Sequence, residues 1–307
     1  MRQPFLFAAV VLLLLCNTYA QRGKRYDGPI IDVHMHCYAE QDWKANAMPN
    51  PVTGKPLTAK NAEDHHRETI AAMKGLNIER GFVSEDGFET ALAWQKQDPG
   101  RIIVGYGIDD PANFKPDVLR REIKAGHVSL IGEVDPQYWG YAPNDPRLDE
   151  IFRIAEDYDV PVGFHIHPGP PGAVYNGFPL MRAQNNSPLL LEDVLLKHPK
   201  LRLFVMHAGW PRIDEMINML YAYPQLYVDI SVVNWTRSRG EFHYYLQRLV
   251  DAGFEDRIMF GSDQMVWTEA IRSSIEAVQD AGFLSRKQKA DIFYNNAVRF
   301  FRLDKKK

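Results

Sequence analysis

Residues 145–169 read DPRLDEIFRIAEDYDVPVGFHIHPG: a helical pattern over Asp145–Tyr158, a β-rich apolar run over Pro161–His165, and a proline- and glycine-rich loop beyond it. The same alternation continues in both directions. Further runs expected as strands lie at Ile30–His34, Arg80–Ser84, Ile102–Gly107 and Val128–Glu133 before this stretch, and at Leu201–His207, Leu226–Ile230 and Ile258–Gly261 after it. Most are rich in Val, Ile, Phe and Gly, as strands covered on both faces are. Helical patterns separate them at Glu63–Leu76, Thr90–Gln97, Lys115–Ala125, Leu189–His198, Arg212–Ala222, Gly240–Ala252 and Thr268–Asp280, and Arg286–Phe301 ends the series. Strands each followed by a helix predict an α/β fold, a parallel (β/α)8 TIM barrel, which commonly uses about 250 residues as one domain. A doubly wound open sheet is the alternative. No G-x-G-x-x-G turn follows any strand, which weighs against a dinucleotide site.

Composition agrees with one globular unit. The 307 residues are 45% hydrophobic and 24% charged, which excludes disordered, collagen-like and coiled-coil classes. A net charge of −3 gives nucleic-acid binding no support, so the expected partner is a small molecule. Two cysteines exclude a disulfide-framed scaffold. Residues 1–20 have a basic start, an apolar run and small residues before a cleavage point, and read as a signal peptide. Cys16 as a lipid-attachment residue and an uncleaved anchor are its rivals; bulky Leu15 fits the first poorly. The expected organisation is a signal peptide over 1–20, a linker over 21–28, the barrel over 29–303 and a basic tail over 304–307. The mature protein is then exported, periplasmic or secreted, and holds to no membrane. Between Met35 and Ala62 lies a long loop without clear periodicity, read as a binding lid or a disordered stretch.

Ligand-type residues sit at four strand ends. The first strand ends His34-Met35-His36 and the fifth His165-Ile166-His167; residues two apart in a strand share a face. The sixth ends at His207 and the eighth at Asp263. In a parallel barrel all strand C-termini meet at one rim, where barrel active sites lie. Imidazoles and a carboxylate converging there offer nitrogen and oxygen donors suited to Zn²⁺ or a similar divalent ion.

The strings IIDVHMH, PVGFHIHPG, LRLFVMHAGWP, LYVDIS, IMFGSDQ and NNAVRFFRL resemble the amidohydrolase superfamily of metal-dependent barrels, in its amidohydrolase-related (amidohydrolase 2) branch, over about residues 29–303. That branch includes aminocarboxymuconate-semialdehyde decarboxylase. The resemblance implies His34, His36, His165 and Asp263 as metal ligands, with Asp263 also catalytic, and His207 as the group that polarises a carbonyl or acts as acid and base. His167 stands as the alternative ligand to His165 or as a substrate contact. Glu133 is open to three roles: bridging two metals, binding one, or hydrogen-bonding a ligand histidine; one ion, Zn²⁺ before Mn²⁺, is the favoured count. Dimers are common among such relatives.

The function so implied is a hydrolase that uses metal-activated water on an amide, ester or lactone. The alternative is a non-oxidative decarboxylase of a carboxylated aromatic or enol. A non-catalytic barrel is a third reading. Trp43, Trp139, Trp210, Trp235 and Trp267 fall in loops after strands, together with Tyr138, Tyr141, Tyr175 and Phe178. They read equally as loop packing or as the wall of a pocket for a ring-bearing substrate, with Trp139, Trp210 and Trp267 the substrate-binding candidates. His65 and His66 read as solvated, Arg212 as a helix-start residue, and Asp229 as a hydrogen-bond partner across the rim.

Overall fold

Each expected apolar run becomes a strand: β1 (Ile30–His36), β2 (Ile78–Ser84), β3 (Ile102–Ile108), β4 (Leu130–Val134), β5 (Val162–His165), β6 (Leu203–Met206), β7 (Tyr227–Asp229) and β8 (Ile258–Met259). The structure, a computed structural model, describes residues 25–85 and 87–304. The expected signal peptide and residues 305–307 of the basic tail lie outside the described residues. Every neighbouring pair is parallel, and the strands follow one another in chain order around the sheet. Its two ends meet where the Val33 amide donates to Phe260 O (3.0 Å) and the Asp263 amide to His34 O (2.8 Å). The architecture is therefore the TIM barrel.

Two apolar layers hold it. Inside the barrel Ile31, Val33, Phe82, Leu130, Phe204, Met206 and Met259 pack against Phe300 of the last helix, which plugs the end opposite the rim. Outside, residues such as Met35, Val83, Ile131, Phe164 and Val205 meet the helices. In β1 the register against β2 slips between Asp32 and Met35. Below the slip Ile31 and Val33 belong to the interior; above it Met35 joins the outer layer, and His34 and His36 are left together at the rim. A second slip, between Ile131 and Val134 of β4, falls on Glu133. Bulges of this kind re-aim side chains beside active sites. Gly261 lets β8 pass close under β1: a Cβ there would come within 2.9 Å of His34 Cβ and 3.0 Å of Ser231 Cβ.

Three sequence expectations change. The first loop is not structureless, because Glu40–Asn46 forms a helix that buries Trp43. The last helix is not continuous: α-helix over Arg286–Ala290 passes through a π turn at Asp291–Asn295 before Asn296–Phe301. His65 is not solvated. It is fully buried, stacked on Trp43 at 5.1 Å, and its Nε2 meets Met265 O at 2.9 Å. The reason is tertiary: the first loop folds back over the helix Ala62–Gly75 and covers a face that the helical pattern alone leaves open. Arg212 does lie at a helix start, immediately before Ile213–Ala222.

Candidate metal centre

The rim gathers six groups: His34 and His36 from β1, Glu133 from β4, His165 from β5, His207 just beyond β6, and Asp263 beyond β8. Their donor atoms form three overlapping triads (His34–His207–Asp263, His34–His36–Glu133 and Glu133–His165–His207), and within each the atoms lie no more than 4.8 Å apart. Glu133 is the hub. Its Oε1 lies 2.6 Å from His165 Nδ1 and 3.2 Å from His207 Nε2, and its Oε2 lies 3.4 Å from both His34 Nε2 and His36 Nε2. Asp263 Oδ1 lies 3.0 Å from His36 Nε2 and 3.9 Å from His34 Nε2. That oxygen is buried, and its alignment with His36 falls outside hydrogen-bond geometry, so a lone pair remains open.

A second layer orients these donors. Asp229, fully buried at the end of β7, has Oδ2 3.1 Å from His34 Nδ1, and its Oδ1 accepts the His207 amide (2.9 Å) and the Ser231 hydroxyl (2.6 Å). Ser231 Oγ stands 2.9 Å from His34 Nδ1 and 3.1 Å from His207 Nδ1. A carboxylate on Nδ1 fixes the proton there and turns the Nε2 lone pair towards the cluster, the usual support for a metal-binding imidazole. Gln264 holds His36 by both ends of its peptide, accepting from the amide (3.2 Å) and donating to the carbonyl (2.7 Å). Asp32 accepts the Ser262 amide (2.9 Å) beneath them; burial pushes its carboxyl up to about 7 against those hydrogen bonds.

Electrostatics separate the imidazoles. Burial by itself would lower the pKa of His34 and His36, but Glu133 and Asp263 reverse this, holding His34 well above its ordinary value and His36 at about 9. Burial would raise Glu133 and Asp263, yet the histidines around them keep both below the usual carboxylate range. A negative potential strong enough to keep protons on buried imidazoles also favours a divalent cation. With the open Asp263 oxygen and the nitrogen–oxygen donor set, the residues present fit one.

His165, through Nδ1, is the β5 histidine that faces the cluster; the ring of His167 lies outside the three triads, 5.3 Å from His207. Burial, then His207, His165 and Arg237, drive the pKa of His167 well down. Of the substrate-contact candidates, Trp210 lies 5.5 Å from His167. Trp139 is 46% exposed on the turn after β4. Trp267 is buried, its Nε1 donating to Met48 O (2.9 Å), which ties down the first loop. Tyr38 stacks on His36 at 6.3 Å and Tyr138 tilts against His165 at 5.3 Å, giving the cluster aromatic flanks. Sequence reasoning missed Ser231, Gln264, Tyr38 and Arg237. The string LYVDIS places Ser231 two residues beyond Asp229, just past the end of β7, and that proximity was the available signal for it.

Comparison with known proteins agrees with this fold. The uncharacterised protein YahJ of Escherichia coli strain K12 is 24% identical over 219 residues, 69% of this chain; the match spans 45% of YahJ, under half its length. Among solved structures, a probable 2-pyrone-4,6-dicarboxylic acid hydrolase from Acinetobacter baumannii superimposes with a TM-score of 0.61 at 16% identity, covering 89% of this chain and 99% of that one. A dihydroxybenzoic acid decarboxylase from Polaromonas sp. JS666, with bound manganese and the inhibitor 2-nitroresorcinol, gives 0.63 at 15% identity, covering 91% and 98%. At such identities these structures speak for the fold alone. The model of the amidohydrolase family (Amidohydro_2) matches residues 31–303, nearly the whole barrel, and the chain belongs to that family.

Proposed function

We propose that this chain is a metal-dependent, non-oxidative decarboxylase of a small carboxylated aromatic or enolic acid. The observation that carries the proposal is the convergence of two carboxylates and four imidazoles beneath aromatic flanks. Dihydroxybenzoate and carboxyvanillate decarboxylases among the similar structures support it over hydrolysis, the activity expected first from the sequence. His34, His36, His165 and Asp263, with Glu133, would hold one divalent ion, which supplies Lewis acidity towards a substrate oxygen. Imidazole and carboxylate donors without a thiolate suit Zn²⁺, the ion expected from the sequence, and also Mn²⁺.

The chain's own groups do the rest. Tyr38, Tyr138 and Trp210 offer flat apolar walls for a ring. His207 is placed to donate a hydrogen bond to a ring oxygen as charge develops there. The bond between ring and carboxylate breaks, its electron pair stays on the ring carbon, and carbon dioxide leaves. Asp263, ionised in the resting site, relays a proton from water to that carbon, and the hydroxide left behind is taken up by the carbon dioxide as bicarbonate. Export before action belongs to the proposal, supported by the signal-like composition of residues 1–20, as does a small-molecule substrate.

The test uses the full chain loaded with Mn²⁺ or Zn²⁺, presented with 2,6-dihydroxybenzoate and related acids and, separately, with lactones and esters. Carbon dioxide released in step with loss of the acid supports the proposal. Ring-opening of a lactone without carbon dioxide overturns it in favour of hydrolysis, the reading that the similar pyrone hydrolase supports. Elemental analysis should find about one ion per chain, lost in Asp263→Ala.

A further inference from the structure

Arg237 follows the short helix Val233–Thr236 beyond β7, and its guanidinium lies 4.8 Å from the centre of the Trp210 ring. Among the described residues the guanidinium has one hydrogen bond, a long one from Nε to Thr236 Oγ1 (3.4 Å), and no carboxylate at ion-pair distance. Neighbouring guanidinium groups are occupied, Arg212 by Glu215 at 2.7 Å and Arg239 by Asp280 at 3.7 Å. Glu241, on the next helix, accepts the Trp210 indole N–H at 3.1 Å instead. A guanidinium resting on an aromatic face keeps its fork of N–H groups free for a planar anion, which it binds through two parallel hydrogen bonds.

The Trp210 ring also lies 5.5 Å from that of His167. His167 Nδ1 accepts the Gly169 amide (3.1 Å), so the neutral ring carries its proton on Nε2. That Nε2 is buried and has no hydrogen-bond partner among the described residues. A buried donor without an acceptor is costly and rare in native proteins, and an incoming oxygen would relieve it. The His167 ring also stands 5.3 Å from that of His207, beside the metal centre. Outward from the cluster, the protein therefore presents a free N–H, a flat indole and an unpaired cation in sequence.

We propose that His167 and Arg237, spaced by Trp210, form a carboxylate-binding subsite that holds a second acidic group of the substrate while the first lies at the metal centre. The preferred substrate is then a ring bearing two carboxylates. This rests on the reading of the cluster as a decarboxylation centre, and names the substrate class for it.

The experiment is titration calorimetry on the full chain loaded with Mn²⁺. The probes are 4-hydroxybenzene-1,3-dicarboxylate and its two monoamides, which keep shape and remove one charge at a time. In the wild type the diacid binds roughly tenfold or more tighter than either monoamide, as a charged hydrogen-bonded contact warrants. In Arg237→Gln that ratio falls towards one, with metal content retained by elemental analysis, and Arg237→Lys recovers part of it. His167→Phe, checked for native circular dichroism, also lowers the ratio. No preference for the diacid in the wild type, or a preference that survives Arg237→Gln, overturns the subsite. Carbon dioxide is assayed on the same samples. A preference that follows Arg237 without carbon dioxide release keeps the subsite and defeats the decarboxylase, whereas release from a mono-acid with no diacid preference does the reverse.

Discussion

The chain carries H-x-H twice, at the ends of β1 and β5, and the two copies reach opposite electrostatic states. His34 and His36 are both pulled upward in pKa by Glu133 and Asp263 against their burial. His165 and His167 are both lowered, burial being the largest cause in each. For the second ring of each pair, the difference lies in how far its strand runs. β1 stays paired to β2 through His36, opposite Ser84, and Gln264 clamps the His36 peptide, so both imidazoles remain at the rim. β5 ends at His165, and Pro168 and a left-handed Gly169 (φ 69°) turn the chain away. Spacing puts two residues on one face only while the strand lasts.

This contrast breaks most sharply by removing one ring at a time. His34→Ala and His36→Ala are expected to lose the bound ion and to leave less than about one-hundredth of the activity, more than a supporting residue costs. His167→Ala should keep the ion and raise KM roughly tenfold, as lost hydrogen bonds to a charged substrate do. Elemental analysis beside steady-state kinetics decides. Loss of the ion from His167→Ala would make the two motifs equivalent and end the contrast.

Next in size is the support beneath β1. Asp229→Asn keeps the shape of the side chain but removes the charge that faces His34 Nδ1. Metal affinity, measured by competition with a chelator, should fall about 10- to 100-fold while the far-ultraviolet circular dichroism stays native. An unchanged affinity would mean that Ser231, 2.9 Å from the same nitrogen, orients the ring alone.

Much of this was legible in the sequence because strand ends in a parallel barrel share one rim. His34, His36, His165, His207 and Asp263 could be placed together from four strand endings alone. Asp229 was legible on the same ground. Tyr38, Gln264 and Arg237 were not, because they reach the site from turns and short helices whose path is set by packing and not by periodicity. His65 was misread for a related reason. Asp64 and Arg67 beside it suggest solvent, and Arg67 is indeed exposed, but His65 points to the other side of the helix, where Trp43 of the helix Glu40–Asn46 covers it. The end of β5 was legible, since the apolar run over Pro161–His165 stops where the strand does and Pro168 and Gly169 follow; what the H-x-H spacing left open was which of its two rings joins the cluster.

His65 gives the buried histidines outside the centre their own test. Burial is the main cause that lowers its pKa from 6.5 to about 4. Between those values the unfolded chain binds the proton and the folded chain does not, so the stability this ring contributes is full above pH about 6.5 and declines as the pH falls to about 4. The whole shift corresponds to about 3 kcal/mol at most. Urea unfolding from pH 7 to 4.5 should therefore show a steeper loss for the wild type than for His65→Phe, which keeps a flat ring beside Trp43. Parallel curves would mean that His65 is protonated in the fold.

The smallest effects separate the two rim tryptophans. Trp139 is nearly half exposed and Trp210 lies beside both His167 and Arg237, so their truncations probe the same rim with and without a polar neighbour. Trp210→Ala removes the surface on which Arg237 rests, worth about 1 kcal/mol at a partly exposed site, and should raise KM for a diacid roughly fivefold with kcat nearly constant. Trp139→Ala should move KM less than about twofold, as a substitution at the surface does. The reverse order would put the ring-binding wall on the β4 side of the rim, next to Glu133, and would leave Arg237 facing solvent instead of substrate.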